Sequence, residues 1–138
     1  MSKEIQKELL KLRDKGMILR GLITNGCVTD AFSTKPDPAE NSPIIDLEPE
    51  TENFVIDLEE KVVKGCCGFS KNNKEGYGEI FIDLADGKAR IIMNWAETDL
   101  GAIDYTYKEE FRANCDEIVS FLNDCEPFAG MIQYLREE

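Results

Sequence analysis

Apolar positions follow two different periods along this chain. Near the N-terminus Ile5, Leu9 and Leu12 recur at i, i+4 and i+7, which places them on one face and predicts a helix over 3–15. Ser2 is in the position of an N-cap and Gly16 in that of a stop. Lys3, Lys7, Lys11 and Lys15 form a second stripe at steps of four, where like charges repel mildly. That stripe reads as a solvated face, or as one turned towards the chain's own acids. Residues 17–24 and 53–58 read as strands, with a second short strand at Lys61-Val62-Val63 after Glu59 and Glu60. Phe32 to Pro43 and Gly65 to Gly78 read as loops.

The clearest β signal lies at 77–96. Residues 77–84 and 88–96 both alternate, and Ala85-Asp86-Gly87 separates them, a hairpin signature because glycine readily takes the positive φ such turns need. One face carries Ile80, Ile82, Leu84, Ala89, Ile91, Met93 and Trp95, and this must be the core face. The other carries Glu79, Phe81, Asp83, Arg90, Ile92 and Asn94. Thr106-x-x-Glu109 has the form of a capping box, and Phe111, Cys115, Ile118, Val119 and Leu122 continue as a helical stripe. After a break near Asn123 to Pro127, Phe128, Met131, Ile132 and Leu135 predict a last helix.

Helix, then strands, then helices predicts a single α+β domain over residues 1–138. Its parts are an N-terminal helix, an antiparallel sheet of about four to six strands with the 77–96 hairpin, and two C-terminal helices packed on one sheet face. No run approaches the ~20 apolar residues of a membrane span. The first eight residues are charged and lack the apolar stretch of a signal peptide, which predicts a cytoplasmic protein. Five cysteines, an odd number with no Cys-x-x-Cys, do not form a disulfide or zinc pattern, so free thiols are expected.

Charge changes the picture most. The chain has 28 acids, 16 bases and no histidine, a net charge of -12. The commonest general base and metal ligand is therefore missing, and the field opposes nucleic acid while attracting cationic proteins. Residues 30–60 alone hold ten acids and one lysine. Within them Asp46, Glu48, Glu50 and Glu52 fall at every second residue, a negative ridge if the segment is extended, and Asp57, Glu59 and Glu60 prolong it. The competing reading is a solvated acidic loop or an edge strand protected by its charge.

A second acidic stretch mixes in aromatics. Glu97, Asp99, Asp104, Tyr105 and Tyr107 follow Trp95, and Tyr and Trp favour interfaces. Trp95 itself belongs to the core face. Asp83 and Asp86 offer carboxylates at a turn, but the 46–52 row lacks the glycine of an EF-hand loop and contains Pro49, so no dedicated calcium site is expected. Cys66-Cys67 has lysines nearby but no imidazole to activate a thiol, and burial explains it better than catalysis. No phosphate loop or nucleophile elbow occurs, and no cofactor is implied.

The expectation is a protein-binding protein rather than an enzyme. Asp46, Glu48, Glu50, Glu52, Asp57, Glu59 and Glu60 are the first interface candidates, and Glu97, Asp99, Asp104, Tyr105 and Tyr107 the second. The partner would be basic, as in an inhibitor or immunity-type protein that blocks a cationic nuclease toxin. Two alternatives stand beside it: an enzyme or small-ligand carrier with a pocket between sheet and helices, and a homodimeric structural or regulatory module.

Overall fold

A computed structural model describes residues 2–24, 26–36, 44–71, 74–99, 102–124 and 133–135. The chain begins with helix α1 (Ser2–Asp14) and strands β1 (Ile18–Thr24), β2 (Cys27–Thr34) and β3 (Ile45–Asp46). Helix α2 (Pro49–Cys66) follows, then β4 (Ser70–Lys71), β5 (Lys74–Asp83), β6 (Lys88–Asp99) and β7 (Ala102–Asn114). Helix α3 (Asp116–Asp124) and β8 (Gln133–Leu135) complete it. The strands form one sheet in the order β3-β2-β1-β5-β6-β7-β8, with β4 also on β5, and every pairing is antiparallel. The architecture is α+β, with an N-terminal helix and the expected hairpin. Among the described residues no helix is long and apolar enough to cross a membrane.

The core lies between one sheet face and the three helices. Leu19 and Ile23 of β1, Ile80 and Ile82 of β5, Ile91, Met93 and Trp95 of β6 and Phe111 of β7 are almost wholly buried on that face. Helix α1 adds Leu9 and Leu12, α2 adds Val55, Leu58, Val62 and Val63, and α3 adds Ile118, Phe121 and Leu122. The face read from the alternation at 77–96 is therefore the core face. At the turn, Gly87 takes φ 75° and its N–H donates to the Asp83 carbonyl at 2.8 Å. Asp83 and Asp86 spend a carboxylate oxygen each on the backbone N–H of Ala85 (2.8 Å) and Lys88 (2.9 Å), which makes them turn-closing groups.

Several elements differ from the reading of the sequence. The segment 53–58 and Lys61-Val62-Val63 are not strands but the middle of α2. Local β-branched content gave way to an apolar stripe at 51, 55, 58, 62 and 63, started by Pro49 at the first helical turn with Glu50 and Glu52 beside it. Cys27–Thr34 is a strand paired with β1, and Gly26 just before it takes φ 88°. Lys74–Gly78, read as loop, already belongs to β5. The Thr106-x-x-Glu109 segment is strand, not a helix start. Residues 103, 105, 107, 111 and 113 alternate as a long β7, and the helix begins only at Asp116. Of the last stripe, Phe128, Met131 and Ile132 lie outside the described residues and Leu135 is in β8.

Candidate functional site

The acidic row does not lie along one strand. Asp46 is on β3, Glu48 is the residue before α2, and Glu50 and Glu52 are in its first turn. There they interact favourably with the positive end of the helix dipole. The spacing of two thus comes from a strand–helix corner rather than a ridge. Asp46, Glu48, Glu50 and Asp57 are exposed, whereas Glu52 and Glu60 are half-buried. None of the four exposed acids pairs with a Lys or Arg among the described residues. Ile44, two residues before Asp46, is 57% exposed, the one large hydrophobic so exposed among the described residues.

The corner is tied down from α1. The Glu8 carboxylate accepts from the Glu48 N–H at 3.0 Å and from the Thr51 hydroxyl at 2.6 Å. Glu48 makes no side-chain cap of its own, and Glu8 takes from a neighbouring helix the N–H of the residue before α2, as the N3 carboxylate of a capping box does locally. The far end of α1 is anchored to α3: Gln6 Nε2 donates to the Phe121 and Leu122 carbonyls at 3.0 and 3.3 Å, and Arg13 to Asn123 Oδ1 at 3.1 Å. Between α1 and the start of α2 runs a cavity of about 720 Å³ lined by Glu4, Glu8, Glu48 and Glu50, with Lys7 and Lys11 on the same walls. All four lysines of the α1 stripe are exposed, as a solvated face requires, and two of them also look towards the chain's own acids.

Glu59 is a clear correction. It is fully buried, so it cannot meet a partner. It lies on the sheet side of α2 between Leu58 and Val62, and its two carboxylate oxygens have no hydrogen-bond partner among the described residues. Loss of hydration raises its pKa well above the ordinary carboxyl range. Space for it comes from Gly21 of β1, where a Cβ would stand 2.5 Å from Glu59 Oε2. An isolated glycine inside a strand was the sequence signal for this close approach.

The second candidate group falls on the β6–β7 hairpin. Cross-strand partners there are Trp95 and Tyr107, Ala96 and Tyr105, Glu97 and Asp104, and Asp99 and Ala102, with an irregularity after Trp95. The side chains of Glu97, Asp99, Asp104, Tyr105 and Tyr107 lie outside the described residues. Trp95 is fully buried, and its indole N–H donates to Glu109 at 2.9 Å. Glu109 therefore serves the indole and not a helix cap. Cys66 and Cys67 are half-buried against the core, and Cys115 is buried, its thiol pushed up to about 11 by burial.

The uncovered sheet face was not legible beforehand. Arg20 forms a bidentate pair with Glu79 at 2.8 and 2.9 Å and lies over the rings of Phe32 and Phe81 at 5.8 and 5.4 Å. Arg90 stacks on the other available side of the cluster, 5.1 Å from the Phe81 ring, and meets Glu110 at 3.3 Å. Only the strand order brings Arg20, Phe32, Phe81 and Arg90 together, from β1, β2, β5 and β6. Cations on this face thus already hold acids, unlike the open corner at α2. No known protein family, characterised protein or solved structure matches the chain.

Proposed function

We propose that the protein is a small cytoplasmic binding module whose corner at the start of α2 docks a basic partner protein. The observation that carries this is an exposed Ile44 two residues before Asp46, followed by exposed Glu48 and Glu50 at the start of α2 and exposed Asp57 about two turns further along it, none of the acids paired with a cation among the described residues. An exposed apolar residue followed along the chain by unpaired acids suits an interface in which an apolar anchor supplies affinity and charge supplies steering. The net charge of -12 extends that steering to long range at low salt. An inhibitor or immunity-type protein that covers the phosphate-binding surface of a cationic nuclease is one form such a module would take. Lys7 and Lys11 repel cations from the groove itself, so the docking surface is the outer side of the corner.

The carrier or enzyme reading needs a cavity between helices and sheet. The four cavities described lie on the uncovered sheet face or between α1 and the start of α2. Pull-down from the native host, at low and high salt, tests the docking proposal against the triple variant Glu48→Gln, Glu50→Gln, Asp57→Asn. A basic protein held by the native chain at low salt, and lost at high salt or with the triple variant, supports it. A partner held equally by both proteins, or held regardless of salt, overturns it.

A further inference from the structure

We propose that Glu59 is a proton-operated latch: α2 lies closely on β1 and β2 while the Glu59 carboxyl carries its proton, and loss of that proton loosens the helix from the sheet. The inference is independent of any docking partner. It starts from position. Glu59 sits within the stripe that α2 presents to the core, with Val55, Leu58, Val62 and Val63 around it on the helix. It is fully buried and neither oxygen has a hydrogen-bond partner among the described residues.

The surfaces opposite supply no counter-charge. On β1 the core-facing residues are Leu19, Gly21 and Ile23, and on β2 Val28, Ala31 and Ser33. The Ser33 hydroxyl, the nearest kind of donor these strands offer, is spent on the Ile18 carbonyl at 2.7 Å. Among the described residues the lysines of α1 and Lys108 and Arg112 of β7 are exposed, Arg13 of α1 is bonded to Asn123, and Arg20 of β1 is bonded to Glu79 on the uncovered sheet face; the remaining groups towards the core are acids and a raised thiol. These are Glu8 of α1, engaged by Thr51 and the Glu48 N–H; Glu109 of β7, engaged by Trp95; and Glu117 of α3 with Cys115 before it. Strand β8 brings Gln133, Tyr134 and Leu135 to the sheet edge. Among the described residues, Lys61 and Lys64 of α2 itself are exposed on the helix's outer side.

A charge placed at Glu59 would have neither water nor a cation, which is the costliest state for a carboxylate in a core. A neutral acid is tolerated, and burial shifts its equilibrium that way. The carboxyl fills the space that a methyl on Gly21 would need, so it is held at the contact between α2 and β1. Hydrating a charge there opens the α2–β1 contact, which is the motion the latch proposes.

Carbon-13 NMR of the glutamate side-chain carboxyls, with Glu59→Gln to assign the signal, reads the proton directly. Amide hydrogen exchange of the full chain between pH 5 and pH 9, corrected for intrinsic rates, reads the latch. The expected result is a Glu59 carboxyl that titrates well above its neighbours. Protection of Val55–Val63 should fall by up to about tenfold per pH unit between the unfolded and folded pKa values, and stay level in Glu59→Gln. The β5–β6 amides are the internal control, and Glu59→Met is a second variant of similar size should the amide destabilise the fold. A Glu59 signal that titrates in the ordinary carboxyl range overturns the proposal. So does α2 protection that follows the same pH course in the native chain and the variants.

Discussion

Glu59 and Gly21 form a pair in which each residue makes sense only through the other. A methyl at Gly21 would meet Glu59 Oε2 at 2.5 Å, so Gly21→Ala should cost about 1–3 kcal/mol by overpacking. Urea unfolding checks this. The cost should shrink in a Glu59→Ala background, because the two changes share one space and cannot add. Glu59 also sets a pH dependence. Its folded pKa is raised, so the native state holds the proton more tightly than the unfolded chain. The stability this confers is complete below the ordinary glutamate pKa. It declines as pH rises towards the folded pKa, at about 1.4 kcal/mol per pH unit. Glu59→Gln should remove that slope, seen as a difference between two urea titrations across pH 4–9. Glu8 is the other residue of unusual reach. It holds the Glu48 N–H and the Thr51 hydroxyl, and Glu8→Ala should lower unfolding free energy by about 1 kcal/mol, the scale of a lost helix cap.

Elements were legible in the sequence where one period ran without competition. The 77–96 hairpin was read from alternation together with the Asp86-Gly87 turn pair, and α1 from three apolar residues at helical spacing. Two elements were lost to a stronger local signal. Phe54-Val55-Ile56 looked like strand because β-branched residues favour strands, yet the stripe from Thr51 to Val63 needed the longer period. Thr106-x-x-Glu109 matched a capping box, yet Tyr105, Tyr107, Phe111 and Ala113 kept the period of two that β7 obeys. The Asn25-Gly26 pair was an unused hairpin signal. The uncovered face was beyond reach for a different reason, since its arginines and rings come from four strands whose order no local pattern reveals. There, Arg20→Lys should cost about 1–2 kcal/mol by losing the bidentate bond to Glu79 and the ring contacts. Chemical unfolding measures it, and an unchanged midpoint would assign the cluster no stabilising role.

At the scale of the whole molecule, charge and packing divide the labour. The helices close one sheet face with apolar side chains, and the other face neutralises its own ions. Asp46, Glu48 and Glu50 are left open at the strand–helix corner that follows Ile44, and the sequence registered them as a run of alternating carboxylates. Its seven first candidates resolve into four exposed acids, two half-buried ones and Glu59 inside the core. Exposure could not be read from composition, because a helix turns its charged residues inward or outward by their phase. The most direct measurement is a two-dimensional ¹H–¹⁵N NMR titration of the labelled chain with a short lysine- and arginine-rich peptide, repeated at high salt. Shift changes centred on Ile44, Asp46, Glu48, Glu50 and Asp57, and weakened by salt, are the predicted result. Changes spread over all exposed acids, or centred on the uncovered sheet face around Arg20 and Arg90, would contradict it.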